Sequence, residues 1–319
     1  MVRIGTDWRH AAGLLTRGAL VALPTETVYG LAGRADDPTV LRRIFKAKNR
    51  PAHNPLILHC ADLEQVASFA ELTPAARQLA GSFWPGPLTM LLPRREGVLD
   101  EACAGLPRVA VRIPASEQFR AIIRAVGVPL AAPSANPSGY VSPTRAEHVF
   151  AGLGCRVDHI LDGGPCERGL ESTIVGWDEA GRGEIYRLGA ISAEVLEALT
   201  NTPWPLHQQD EQHPSTPGAL LQHYAPRTPV TFELPAPQDA WVTWSERAST
   251  WKGEVGVLHL PISTIGDLEE AARNLYHALI ELDSAGVTRI CVESFPDEGL
   301  GATLNERVAR ASAAQISAA

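Results

Sequence analysis

Apolar and polar positions follow two rhythms along the first 200 residues. Short apolar runs predict strands at 18–23, 56–59, 88–92, 109–113, 159–161, 172–175 and 184–188. Between them, apolar residues at helical spacing predict helices at 63–70, 74–83 and 117–126. Asp37 followed by Pro38 marks the start of another helix, which runs through VLRRIFKAK. A further helix is predicted at 144–153, capped by Ser142 or Thr144. The alternation is that of an α/β domain. It breaks at 201–229, a proline-rich stretch with three histidines and almost no periodicity, which reads as a linker. Strand-like runs at 256–260 and 289–292, with helical patterns at 267–281 and 305–314, predict a small second α/β domain. The expected division is 1–200, 201–229 and 230–319.

Composition narrows the class. With 45% hydrophobic and 20% charged residues, the chain is an ordinary globular one, neither disordered nor fibrous. No apolar run approaches a membrane span, and the polar first ten residues show no signal peptide, so a cytoplasmic location is expected. The five scattered cysteines hold no CxxC pair, which argues against a disulfide framework or structural zinc. His207, His213 and His223 lie in the linker and read as solvated side chains, so no metal ligands are assigned. The net charge of −8 is uneven. Residues 228–319 carry 6 Lys+Arg against 13 Asp+Glu, a balance of −7, which disfavours nucleic-acid binding there. The near-neutral remainder leaves its arginines available to an anionic ligand.

Four loops crowd polar residues at strand ends, where α/β folds keep their chemistry. PTETVYG at 24–30 offers the hydroxyls of Thr25 and Thr27 and a wall in Tyr29, or simply a turn whose hydroxyls cap backbone groups. KAKNRPAHNP at 46–55 is a stiff basic loop suited to polyphosphate. Arg108 and Arg112 share one face of a predicted strand, and a Ser/Asn-rich loop follows at 133–139. DGGP at 162–165, GLEST at 169–173 and YRLG at 186–189 complete the set. Gly164 and Gly169 have P-loop spacing, but Leu170 and Glu171 stand where Lys and Ser/Thr are required. There is no GxSxG elbow and no HExxH motif. A cationic, hydroxyl-rich cavity without a nucleophile fits a reaction whose substrates bring their own.

These motifs, in this order, resemble the threonylcarbamoyl-AMP synthase family in its longer, two-domain form: PTETVYG, KNRPAHNPLILH, FWPGPLT, RVAVRIP, PLAAPSANPSG, SPT, DGGP…GLEST and YRLG. TPGALLQHYAPRTP at 216–229 resembles the interdomain segment, and EGLGATLNERVARAS at 298–312 the end of the second domain. The resemblance implies a YrdC-like twisted mixed sheet with helices around a concave basic cavity. It also implies synthesis of threonylcarbamoyl-adenylate from L-threonine, bicarbonate and ATP with Mg²⁺, for modification of tRNA by downstream transfer proteins. By motif position, Lys48 and Arg50 would be catalytic. Thr27, His59, Arg112, Ser134 and Ser172 would hold threonine. Arg50, Asn54, Arg108, Asn136, Thr144, Arg187 and Tyr224 would hold ATP, with the linker as a lid. The linker's ALLQ at 219–222 departs from the family's usual MKYR. Two alternatives remain on the same fold: a carbamoyl-transfer enzyme, disfavoured by the missing CxxC pairs, and an RNA-binding module, disfavoured by the charge balance.

Overall fold

A computed structural model describes residues 3–208, 216, 224–251, 253 and 255–316. His213, His223 and the 219–222 stretch lie outside the described residues, as do 209–215 and 217–223 of the expected lid as a whole.

The first domain is built on a mixed ten-stranded sheet. From one edge, its strands run Arg3–Gly5, His159–Leu161, Val21–Leu23, Gly30–Arg34 and Leu130–Ala131. Ile57–His59, Arg108–Arg112, Leu88–Pro93, Thr173–Trp177 and Gly183–Arg187 follow. Ile57–His59 and Arg108–Arg112 pair in parallel at the centre, with His59 opposite Arg112. That register puts two functional side chains side by side on one face.

One face of the sheet is covered by the helices Pro38–Lys48, Leu63–Phe69, Pro74–Phe83, Ala146–Leu153 and Ala193–Thr200, through a single apolar cluster. The other face is only half covered. Helices Trp8–Thr16 and Glu117–Val126 pack over one end. A smaller floor of Ile57, Leu91, Ala110, Ile174 and Tyr186 forms at the other. The cleft lies where these two regions meet.

Local chemistry explains the elements that matter most. Asp37 caps the helix Pro38–Lys48, accepting from Thr39 N at 2.8 Å. Val40, Leu41, Ile44 and Ala47 make its buried stripe, and Asn49 ends it in the left-handed conformation at φ 53°. The abrupt end turns Arg50 back toward the sheet. The helices Pro74–Phe83 and Glu117–Val126 match their expected bounds. The helix expected at 144 begins at Ala146 instead, and neither Ser142 nor Thr144 caps it. Thr144 N donates instead to the His148 ring at 3.2 Å.

The second domain is a four-stranded, all-parallel sheet ordered Val230–Thr231, Ile290–Val292, Ala240–Thr243, Leu258–Pro261. It packs against the helices Leu268–Asp283 and Gly299–Ile316. Its core does not stop at the domain boundary. Val28, Val141 and Leu170 of the first domain share one apolar cluster with Tyr224, Tyr276 and Val308. Thr303 Oγ1 also donates to Gly189 O at 3.2 Å, and Tyr140 Oη to Asp283 Oδ2 at 2.8 Å. Among the described residues, no helix is long and apolar enough to cross a membrane.

Candidate active site

The cleft gathers Thr25, Thr27, Val28, Gly30, Arg50, Ile57, His59, Arg112, Ala132, Pro133, Ser134, Glu171, Ser172 and Arg187. Seven of the residues expected from sequence are among them: Thr27, Arg50, His59, Arg112, Ser134, Ser172 and Arg187. They come from seven separate strand ends or loops, so the fold alone brings them together.

One side is organised by Arg112. Its guanidinium donates to Glu26 Oε1 at 2.6 Å, Thr27 Oγ1 at 2.9 Å and Gly86 O at 3.1 Å. Among the described residues, three of its five N–H groups thus have partners, which leaves two for a ligand. Burial alone would raise the Glu26 carboxyl, but Arg112 and hydrogen bonds hold it below the usual carboxylate range. Thr25 does both things its sequence allowed. Its hydroxyl donates to Val28 O at 2.7 Å and accepts from Thr27 N at 3.0 Å, tying the turn while facing the cleft.

His59 sits beside this pair, 3% exposed, and its Nδ1 has no partner among the described residues. Burial, reinforced by the Arg112 charge, lowers its pKa to about 3, so the ring is neutral at physiological pH. A buried polar nitrogen without a partner costs about 1–3 kcal/mol, and a bound substrate is one way to recover it.

The other side is cationic. Arg50 donates to Asn54 O at 3.1 Å and Pro55 O at 2.7 Å, and to the Asn54 side chain. Burial, then the neighbouring Arg187, brings its pKa down to about 9, still protonated at neutral pH. Arg187 donates to Ser172 O at 2.8 Å and Ser172 Oγ at 3.1 Å. Ser172 Oγ also bonds Thr89 Oγ1 at 2.8 Å, which fixes its rotamer. Tyr224 lies close to both arginines.

Five further residues singled out in the sequence stand outside the lining of this cleft. Lys48 is not in the cleft; its buried ammonium donates to the carbonyls of Ser134 and Asn136 and braces the Ser/Asn loop from behind. Burial, then Arg50 and Arg156, lowers its pKa well below the usual lysine value. Asn136 also works behind the loop, donating to Tyr140 O at 2.7 Å and Pro137 O at 2.9 Å. Thr144 is engaged with His148 rather than lining the cleft. Arg108 shares the face of Arg112 but lies at the far end of the strand, 5.2 Å above the Tyr186 ring. The apolar floor separates the two arginines. Tyr29 is no wall of the cleft: its hydroxyl donates to Gly164 O at 2.8 Å and pins the DGGP loop.

Sequence reasoning did not assign Glu26 or Glu171. Each is a lone acidic residue inside a recognised motif, and each is defined by a partner far along the chain. Glu26 answers Arg112, and Glu171 answers Arg307 at 3.2 Å. Among the described residues, no three His, Cys, Asp or Glu side chains converge as a metal site.

Gly189 shows how tightly the cleft wall is built. A Cβ there would meet Thr173 N at 2.4 Å and Ser172 C at 2.5 Å, both backbone atoms. Gly189→Ala is therefore expected to cost about 1–3 kcal/mol and to displace Ser172 and Glu171. A thermal melt would show the lost stability.

The fold and the cleft define an α/β protein whose site gathers hydrogen-bonding groups around Arg112 with two further arginines, Arg50 and Arg187. Comparison with known proteins agrees. A family model described as telomere recombination, covering the Sua5, YciO and YrdC proteins, matches residues 13–189. A second, described as threonylcarbamoyl-AMP synthase, C-terminal domain, matches residues 191–313. Curated threonylcarbamoyl-AMP synthases of Bacillus subtilis (36% identical, 96% of this chain and 93% of that protein) and Pyrococcus abyssi (39%, 97% and 96%) are similar over nearly their whole length. The crystal structure of P. abyssi Sua5 complexed with L-threonine superposes with a TM-score of 0.86, at 34% identity over 99% of this chain and 98% of that one. Escherichia coli YciO shares the fold of the first domain, at 20% identity and a TM-score of 0.52 over 59% of this chain. The chain belongs to the threonylcarbamoyl-AMP synthase family and carries both of its domains.

Proposed function

We propose that the protein makes L-threonylcarbamoyl-adenylate from L-threonine, bicarbonate and ATP in this cleft. The carrying observation is that Arg112, Thr27 and His59 line one cleft together with Arg50, Arg187, Ser134 and Ser172. An amino acid suits the first group and a polyphosphate the second. The two remaining N–H groups of Arg112 would pair with the threonine carboxylate, a charge-assisted, planar contact. The hydroxyl of threonine would meet the polar side chains near Thr27 and Ser172. Neutral His59 can accept or donate a hydrogen bond without competing for the carboxylate as a cation would.

The threonine amine adds to the bicarbonate carbon, losing water to give a carbamate. A carbamate oxygen then attacks the α-phosphorus, and pyrophosphate leaves with the bond's electron pair. Negative charge grows on the leaving oxygens, where Arg50 and Arg187 would stabilise it. No protein side chain has to become a covalent nucleophile, in keeping with a cleft of fixed donors. Mg²⁺ would enter with the triphosphate, because the cleft wall offers cations and hydroxyls rather than a carboxylate set. Asn54 would support Arg50, and Tyr224 would border the nucleotide. Lys48, Asn136 and Thr144 would act on the shape of the loop, and Arg108 on the outer end of the floor. The product would pass to tRNA threonylcarbamoyl-transfer proteins in the cytoplasm.

The test is pyrophosphate release that depends on both threonine and bicarbonate. With alanine in place of threonine, the buried hydroxyl partners lose their ligand, and kcat/KM should fall on the order of 10⁴-fold. Equal turnover with alanine would contradict this assignment of the pocket.

A further inference from the structure

Glu171 lines the cleft together with Arg187, whose guanidinium donates to the adjoining Ser172 O at 2.8 Å. A carboxylate at this place competes with a triphosphate for the guanidinium beside it, because both are anions seeking the same donors. Three other donors occupy it. Ser142 Oγ donates to Glu171 Oε1 at 2.6 Å, while Tyr276 Oη and Arg307 Nε reach Oε2 at 2.9 and 3.2 Å. Tyr276 and Arg307 belong to the second domain, on the helices Leu268–Asp283 and Gly299–Ile316.

Arg307 is 1% exposed, which a guanidinium tolerates only with several partners. Besides Glu171 it donates to Leu188 O at 2.5 Å and to the Glu306 carboxylate. Its guanidinium also covers the Tyr224 ring at 4.6 Å, while the Tyr276 ring stacks on Tyr224 at 5.7 Å and 16°. One residue of the second domain therefore touches the carboxylate in the cleft wall, the carbonyl of Leu188 just after Arg187, and the Tyr224 ring.

We infer that Arg307 is a positioning residue for the nucleotide half of the reaction: it engages Glu171 from the second domain and keeps that carboxylate from competing with the triphosphate for Arg187. This rests on the proposed placement of the nucleotide along Arg50 and Arg187. It gives the second domain a part in ATP binding through contacts on Glu171 and Leu188 rather than on Thr27, His59 or Arg112.

The test compares Arg307→Met, Glu171→Gln and the double variant. Threonine affinity is measured by calorimetry, and the KM for ATP in the pyrophosphate assay. Arg307→Met is expected to raise the KM for ATP about tenfold or more, with threonine affinity unchanged. Removing the competing charge as well, in Glu171→Gln/Arg307→Met, should recover most of that loss. A purely structural role predicts the opposite: the double variant as impaired as the single one, or threonine affinity falling in step. Either result overturns the inference. If Arg307→Met does not fold, Arg307→Lys keeps the charge but not the fork of donors. It should still raise the KM for ATP, again relieved by Glu171→Gln; an unchanged KM overturns the inference. Arg50→Ala is run alongside. If it leaves the KM for ATP untouched, the nucleotide placement itself fails, whereas an effect at Arg50 without one at Arg307 refutes only the present inference.

Discussion

Arg50→Ala should lower kcat/KM for adenylate formation on the order of 10³-fold while leaving threonine affinity nearly unchanged. The side chain is buried, and its partners within the protein are neutral oxygens of Asn54 and Pro55. Those oxygens aim the guanidinium without cancelling its charge, so its electrostatic effect is available to a bound anion. A charge-assisted hydrogen bond in such a place is worth about 1.5–3 kcal/mol. The contribution grows further as charge moves onto the departing pyrophosphate. Lysine should rescue little, since it lacks the planar fork that Asn54 and Pro55 hold in position. Steady-state kinetics with calorimetric threonine binding would check both halves. A loss of threonine affinity equal to the loss of rate would contradict the division of the cleft.

The second large effect is expected at the pair between Glu26 and Arg112. Both side chains are about 95% buried, and their oxygen and nitrogen lie 2.6 Å apart. Removing one partner leaves the other as an uncompensated buried charge, so Arg112→Ala should cost about 3–5 kcal/mol of stability and abolish threonine binding. Replacing both, as in Glu26→Leu/Arg112→Met, should restore much of the stability but none of the binding. That contrast separates the structural role of the pair from its chemical one. The sign of the pH dependence follows from Glu26. Its pKa is lowered in the fold, so its contribution is fully present above the unfolded value near ~4.3 and is lost as pH falls through the folded value. Denaturant melts from neutral pH downward should therefore show wild-type stability declining in acid, with a shallower decline in the double variant.

The strands and helices with clear periodicity were legible in the sequence. Glu117–Val126 carries a full apolar stripe of Phe119, Ile122, Ile123 and Val126, and nothing tertiary displaces its ends. Gly30–Arg34 was hidden because GLAGR has two glycines and no alternation, and its strand state comes from pairing with Val21–Leu23. The final helix begins at Gly299, ahead of the strongly apolar positions that marked it in sequence. In the cleft, many of the lining residues could be recognised by motif, whereas their arrangement could not. Lys48 and Arg50 are two residues apart in one basic loop, yet the helix end at Asn49 sends one behind the wall and the other into it. Glu171 was unreadable for a related reason: its partners Tyr276 and Arg307 lie more than a hundred residues away. Local sequence shows which charges are present, but only the packed domains show which of them are already engaged.

A crystal structure of the ternary complex with L-threonine and a non-hydrolysable ATP analogue tests the central claim most directly. The account predicts the amino-acid carboxylate on Arg112, the phosphates against Arg50 and Arg187, and the amine on the α-phosphate side, with room between for one carbon and its oxygens. A nucleotide bound instead over the outer floor near Arg108, with its phosphates remote from Arg50 and the threonine amine facing away, would contradict it.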